Sequence, residues 1–499
     1  MRNGSKLFIF SVIVFISSGV AKSDFQNKGA LSGERYRIIV STDLGGEDPD
    51  DYQSMIHYLL YADMFDTEGI ISSPSGSWGS IKDIRRVLDL YEKDYKNLCS
   101  HSDKYPTPDA LRAITKQGAD KLAPGKGYRQ STEGSKWIIK CAHKPDKRPL
   151  YILCWASLED VGQALHDDPS ILDKIRVYYI GGPNKKFGGD SYDYIERNFP
   201  DLWMIENNST YRGWYYGGVD DYRLRNENFY KYYLKGHGAL GDFYGQNRYG
   251  GSIKMGDTPS VSYMLYGNPA DPENGGWGGR FRRVAVRPKT VFHGHTTIED
   301  KVEVFGIMEL VLKGPDMGPA RDEPQFSLII ANQEFYGFYY GSGIYKFRWS
   351  PKLVGEWSYV VKSKIPELDG KTGQFVSVDE NTLPPYPDAV RHKNWWTDIL
   401  DPEYKDGLHC GAKTVSAYRR QYLQDFAKRA DRLQDDSKGT DQLIIDDDPN
   451  NPIVFLNTFG DSYYHTDGNC PEIKGEKFPI HLKEAKKHYK PCPKCTPPK

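Results

Sequence analysis

The sequence predicts an α/β fold: a mostly parallel sheet with helices on both faces, an inserted β-sandwich, and a small C-terminal Cys/His module. Three observations carry this. From 35 to 285, short apolar runs alternate with segments of helical periodicity, the pattern of strand–helix–strand units. From 286 to 384 the pattern becomes short β-rich runs between turn residues, and it reverts after Pro384-Pro385. From 452 to 499, one histidine and three cysteines fall at ligand-like spacing.

In chain order, residues 1–23 read as a signal peptide. Arg2 and Lys6 precede an apolar run from Leu7 to Phe15, and small residues follow up to Ala21 and Ser23. The run is short for a membrane span. A secreted or periplasmic protein is expected, with no membrane contact after cleavage. A net charge of -1 argues against bulk attraction to nucleic acid. Tyrosine is abundant, at 36 residues, which suits sugar-facing surfaces and β-rich cores alike.

Within 35–285, strands are expected at 36–42, 68–72, 150–155, 176–180 and 202–205, and helices at 80–95 and 158–165. The first strand runs into Asp43-Leu44-Gly45-Gly46-Glu47-Asp48-Pro49-Asp50-Asp51, five acids within nine residues. Met55, Ile56, Leu59 and Leu60 then recur on one helical face. Ligands of parallel sheets bind at the carboxyl ends of strands. Crowded carboxylates repel unless a cation neutralises them, and oxygen-only ligands suit a hard cation, calcium first. The same residues also read as an acidic turn capping a helix at Pro49.

This stretch resembles the opening of nucleoside hydrolases, a strand entering Asp-x-Asp-x-Gly-x-Asp-Asp. It is most similar to a divergent secreted group named for cellulose binding, whose longer loop ends in Pro-Asp-Asp. Asp43, Asp50 and Asp51 match that pattern, and Ser41 stands where the first aspartate belongs. Trp155-Ala156-Ser157-Leu158-Glu159-Asp160, Gly256-Asp257-Thr258-Pro259-Ser260 and Gly276-Trp277-Gly278-Gly279-Arg280 extend the resemblance. It implies calcium held by Asp43, Asp51 and Asp257, with a main-chain carbonyl from Leu158-Glu159-Asp160. It implies Asp43 as catalytic base and Asp50 as acceptor of a sugar hydroxyl. Asn184, beyond Gly181-Gly182-Pro183, is expected to face the substrate; a plain glycine turn explains the same residues. One subgroup of hydrolases carries a histidine acid where this chain has Gly256. General acid help is worth about 10²–10⁴-fold, so purine nucleosides are expected to be poor substrates. Glu133 and Glu159 are the alternative acids.

Gly343-Ile344-Tyr345-Lys346-Phe347-Arg348-Trp349, leading into Gly355-Glu356-Trp357, resembles a β-sandwich module appended to secreted glycoside hydrolases. A packing role is expected for it ahead of sugar binding. Residues 385–435 resemble the last segments of the first family, so they are expected to complete the α/β domain. Residues 436–451 read as an acidic linker. His465, Cys470, Cys492 and Cys495 resemble an Ada-like metal-binding module. Four soft ligands fit tetrahedral zinc, while an exported location favours a disulfide; free thiols are the third possibility. The expected function is a calcium-dependent hydrolase of N-glycosyl or related bonds, on a ribosyl or plant-polysaccharide-derived substrate. A non-catalytic protein binding cellulose or another polysaccharide is the competing expectation.

Overall fold

The structure, a computed structural model, describes residues 35–45, 50–76, 79–219, 221–434, 451–457, 462–473 and 477–496. The expected signal peptide, Glu47, Asp48 and nearly all of the expected linker lie outside these residues.

Six parallel strands build most of the main sheet: β1 (Tyr36–Thr42), β2 (Phe65–Ser72), β3 (Thr115–Gln117), β4 (Leu150–Cys154), β5 (Ile175–Ile180) and β6 (Trp203–Asn207). Their order is β3-β2-β1-β4-β5-β6. The chain therefore winds outward from β1 in one direction and then from β4 in the other. The carboxyl end of β1 is a topological switch point, where open α/β sheets leave a crevice. Along β1, Ile38 and Val40 enter one core and Ile39 the other, so both faces are covered. The helix Ile81–His101 follows β2. Ser80 Oγ caps it by accepting the Lys82 N–H at 3.2 Å, and Ile84, Val87, Leu88, Tyr91 and Leu98 form its buried stripe.

Residues much later in the chain finish the sheet. Trp395–Asp398 pairs parallel to β6, and Phe281–Arg283 pairs antiparallel to Trp395–Asp398. The helix Arg419–Ala430 then buries Tyr422, Leu423 and Phe426 in the core that Ile38 and Val40 enter. The α/β unit is thus split, and the segment from Lys289–His293 to Thr372–Val378 is an insertion.

The insertion holds eight strands in one hydrogen-bonded sheet, edged by Lys289–His293 and Lys301–Glu303. Those two edges approach each other, so the sheet folds over a common core that includes Leu310, Leu328, Tyr345, Phe347 and Phe375. Buried charges fasten it to the α/β unit. Lys185 Nζ donates to Glu206 and, at 2.8 Å, to the Phe305 carbonyl. Arg287 Nη2 lies 3.0 Å from Glu206 Oε1. Burial would lift the Glu206 carboxyl, but Arg287 and Lys185 outweigh it and hold it at about 2. Nearby, Arg348 reaches Glu309 at 2.7 Å and Asp190 at 2.6 Å.

The C-terminal module is a four-stranded sheet, Lys477–His481, Ile453–Asn457, Tyr463–His465 and Lys490–Pro491, with one helix, Leu482–His488. Its Val454, Leu456, Phe478 and Ile480 join the core of the α/β unit that Ile38 and Val40 enter. Among the described residues, no helix is long and apolar enough to cross a membrane.

Candidate functional site

β1 ends at Thr42, and the loop that follows brings acids to the switch point. Thr42 Oγ1 accepts the Leu44 N–H at 3.0 Å and donates to Asp51 Oδ1. One hydroxyl thus fixes both the loop's exit and the carboxylate that opens the next helix. Asp50 and Asp51 form the first turn of Asp50–Leu60. Asp257 stands at the N-cap of Thr258–Leu265, yet its side chain does not cap that helix. Its carbonyl accepts from Ser260 Oγ at 2.7 Å, and Ser260 Oγ accepts from Trp155 Nε1 at 2.7 Å, just beyond β4. Thr258 Oγ1 meets Ser54 Oγ at 2.9 Å, joining the two helices near their N-termini.

The result is a carboxylate trio. Ligand oxygens of Asp50, Asp51 and Asp257 all lie within 4.8 Å of one another. Two helix N-termini, each carrying partial positive charge, abut them. The expected ligand set contained Asp43 and not Asp50; the structure gathers Asp50 with Asp51 and Asp257 and leaves Asp43 beside them. Burial first, then the charges of Asp51 and Asp50, push the Asp43 carboxyl well above the usual carboxylate range. That repulsion and the all-oxygen donor set both fit a hard divalent cation, calcium by preference.

Sequence reasoning missed two neighbours. Lys254 Nζ lies 3.8 Å from Asp50 Oδ2. Tyr211, whose N–H is held by Asn207 Oδ1 at 2.8 Å, brings its ring between Gly182 and Gly256. A Cβ on Gly256 would come 2.9 Å from Asp50 Oδ2 and 3.6 Å from the Tyr211 ring, so a side chain there must displace Asp50. No local motif marks Lys254 or Tyr211, because the fold alone brings them to the loop after β1.

Asn184, expected to face substrate, is a buried brace. Its amide donates to the Trp155 carbonyl and, at 3.0 Å, to the Ile180 carbonyl, and its oxygen accepts from Ser75 Oγ at 2.7 Å. Both amide protons are thus used, while the oxygen keeps a second lone pair for a further donor. Glu159 and Asp160 open the helix Glu159–Asp167, and their carboxylates are engaged with neighbouring segments. Glu159 accepts from the Ala123 N–H at 2.9 Å and Ser191 Oγ at 3.0 Å, and burial pushes its carboxyl up to about 8. Asp160 accepts from the Ala119 N–H at 3.1 Å and Thr132 Oγ1 at 2.5 Å. Glu133 is exposed and lies 3.4 Å from Lys116.

A second centre lies in the C-terminal module. Ligand atoms of His465, Cys470, Cys492 and Cys495 lie within 4.8 Å of one another. Cys470 Sγ is 3.9 Å from Cys492 Sγ, and Cys495 Sγ is 3.6 Å from His465 Nδ1. A tetrahedron built on Zn–S bonds of about 2.3 Å has edges of about 3.8 Å, so the four groups fit zinc. Burial would raise the Cys495 thiol, but hydrogen bonds from the Asp467 backbone and Thr496 outweigh it and bring it to about 6, which favours the metal-binding thiolate.

Compared with known proteins, residues 37–281 match the family described as cellulose-binding Sde182, nucleoside hydrolase-like domain. Residues 301–364 match a domain of unknown function, DUF5060. No curated protein is significantly similar to the chain. Among solved structures, a nucleoside hydrolase-related hypothetical protein from Saccharophagus degradans, associated with carbohydrate metabolism, is 20% identical with a TM-score of 0.43, covering 70% of this chain and 100% of that one. An inosine-uridine preferring nucleoside hydrolase from Bacillus anthracis is 12% identical with a TM-score of 0.34, covering 79% of this chain and 99% of that one.

Proposed function

We propose, on the premise that residues 37–281 form a nucleoside hydrolase-like domain of the cellulose-binding Sde182 type, that the chain is an exported, calcium-dependent hydrolase of glycosidic bonds. The bond is N-glycosyl or related, in a ribosyl or plant-polysaccharide-derived substrate. The observation that carries this reading is the meeting of Asp50, Asp51 and Asp257 at the switch point, with Asp43 beside them. A protein that needed only a scaffold would gain nothing from burying carboxylates that repel one another.

Asp51 and Asp257, with Asp50, would hold the ion. A calcium ion bound there supplies orientation for sugar hydroxyls and greater acidity for a water in contact with it. Asp43 would take a proton from the water that attacks the anomeric carbon through an oxocarbenium-like state. Asp50 accepts a hydroxyl of the sugar, and Tyr211 walls the site. Gly256 offers no proton to the leaving group, so the reading favours leaving groups that depart with little protonation.

A non-catalytic polysaccharide-binding role is the second reading. The missing acid at Gly256 and the family's name favour it. A screen of nucleosides, aryl glycosides and oligosaccharides with calcium, comparing wild type with Asp43→Ala, separates the two. Hydrolysis predicts turnover that the substitution abolishes. No turnover on any compound, together with saturable retention on insoluble cellulose, would replace it with the binding role.

A further inference from the structure

The C-terminal module touches the same site. Lys254 is almost fully buried, at 5% exposure, and a buried ammonium is costly unless compensated. Its compensation includes Asp50 Oδ2 at 3.8 Å and two aromatic faces, Tyr249 at 5.7 Å and Phe478 at 5.6 Å from the ring centroids. Phe478 belongs to the C-terminal module. Its ring packs against Tyr215 at 5.4 Å and Tyr249 at 5.6 Å. The strand carrying it is pinned next to Phe478, where Ser252 Oγ donates to the Pro479 carbonyl at 2.7 Å.

We propose that the C-terminal module is a wall of the sugar site: Phe478 holds the Lys254 ammonium beside Asp50, and the pair presents a donor and an acceptor to adjacent hydroxyls of the sugar. The proposal rests on the reading of the Asp50 site as a sugar site. The chemistry follows from the groups themselves. An ammonium only donates and a carboxylate only accepts, whereas a hydroxyl does both. Two neighbouring hydroxyls satisfy the pair together, one donating to Asp50 and the next accepting from Lys254. Lys254 is then a specificity residue and Phe478 a positioning residue.

The test uses the full chain with calcium, D-ribose and 2-deoxy-D-ribose as probes, and calorimetry for calcium itself. Lys254→Met should weaken ribose binding at least tenfold, and Lys254→Arg should restore most of it. The same Lys254→Met should tighten calcium at least threefold, because the ammonium no longer competes for Asp50. Phe478→Ala should move both values in the same directions, and Phe478→Leu, which keeps the module packed, should reproduce the calcium effect if the alanine variant unfolds. Opposite shifts in sugar and calcium affinity are something a merely structural lysine would not produce. Unchanged calcium affinity in Lys254→Met and Phe478→Leu overturns the proposal, whatever the sugar result. Calcium shifts as stated with no sugar bound by wild type would keep Phe478 and Lys254 coupled to Asp50 but overturn the hydroxyl pairing, and with it the sugar reading of the site.

Discussion

Thr42 governs the acidic site through a single hydroxyl. It orients Asp51 while tying down Leu44. Partners of this kind typically contribute about 10–100-fold to metal affinity. Thr42→Val should therefore weaken calcium by at least about tenfold while leaving the fold intact, and Asp51→Asn should weaken it further, both measured by titration calorimetry. Equal affinities in variant and wild type would remove the metal site. Installing a histidine at Gly256 should not create an efficient purine nucleosidase, since the new Cβ pushes on Asp50; the measured outcome is weaker calcium binding without gain in inosine turnover. The acids of the β1 loop were legible because they are contiguous and sit between a strand pattern and a helix pattern. Asp257 was legible only through the family resemblance. The place of Asp50 in the trio was not, since adjacent acids at a helix start give no sign of which side chain turns inward. Asn184 is a related case: a glycine turn at a strand end looks the same whether the next amide faces solvent, ligand or backbone carbonyls.

At the scale of elements, the joint between β6 and the inserted sheet depends on Glu206. Its carboxyl stands between two buried cations, Lys185 and Arg287. Removing one partner of such a group leaves uncompensated charge and typically costs about 3–5 kcal/mol, so Glu206→Gln should lower the unfolding free energy by that order, read by chemical denaturation. The sign with pH is fixed by the shift. The folded carboxyl, at about 2, lies below its ordinary 4.5, so its contribution is present above 4.5 and is lost as pH falls toward 2. Wild type should show that acid loss, and Glu206→Gln should lack it. In the C-terminal sheet, Cys492→Ser should abolish a zinc content of about one per chain, measured by metal analysis. Zinc-free protein with a Cys470–Cys492 crosslink by mass spectrometry would point to a disulfide instead. The five longer parallel strands were visible as short apolar runs. β3 and Phe281–Arg283, each three residues, carry too few positions for any period to register.

For the whole molecule, the switches of pattern near 285 and 385 were legible because turn-rich β composition contrasts with strand–helix alternation. How the two units join was not legible, since Lys185, Glu206, Asp190 and Arg348 look like ordinary surface charges in a linear chain. Excising 286–384 with a short flexible bridge should therefore not yield a stable α/β protein: Glu206 and Asp190 lose their arginine partners, and light scattering should reveal aggregation.

The split of the α/β unit also has a consequence in time. Thr397 hydrogen-bonds the Glu206 carbonyl across 191 positions of sequence. A ribosome adding about 5–20 residues per second leaves the outer edge of β6 without its neighbour for about ten seconds or more after β6 emerges. An unpaired strand edge is a template for illicit association. Truncation between 210 and 390, which leaves that edge bare for good, should produce fragments that are degraded or deposited.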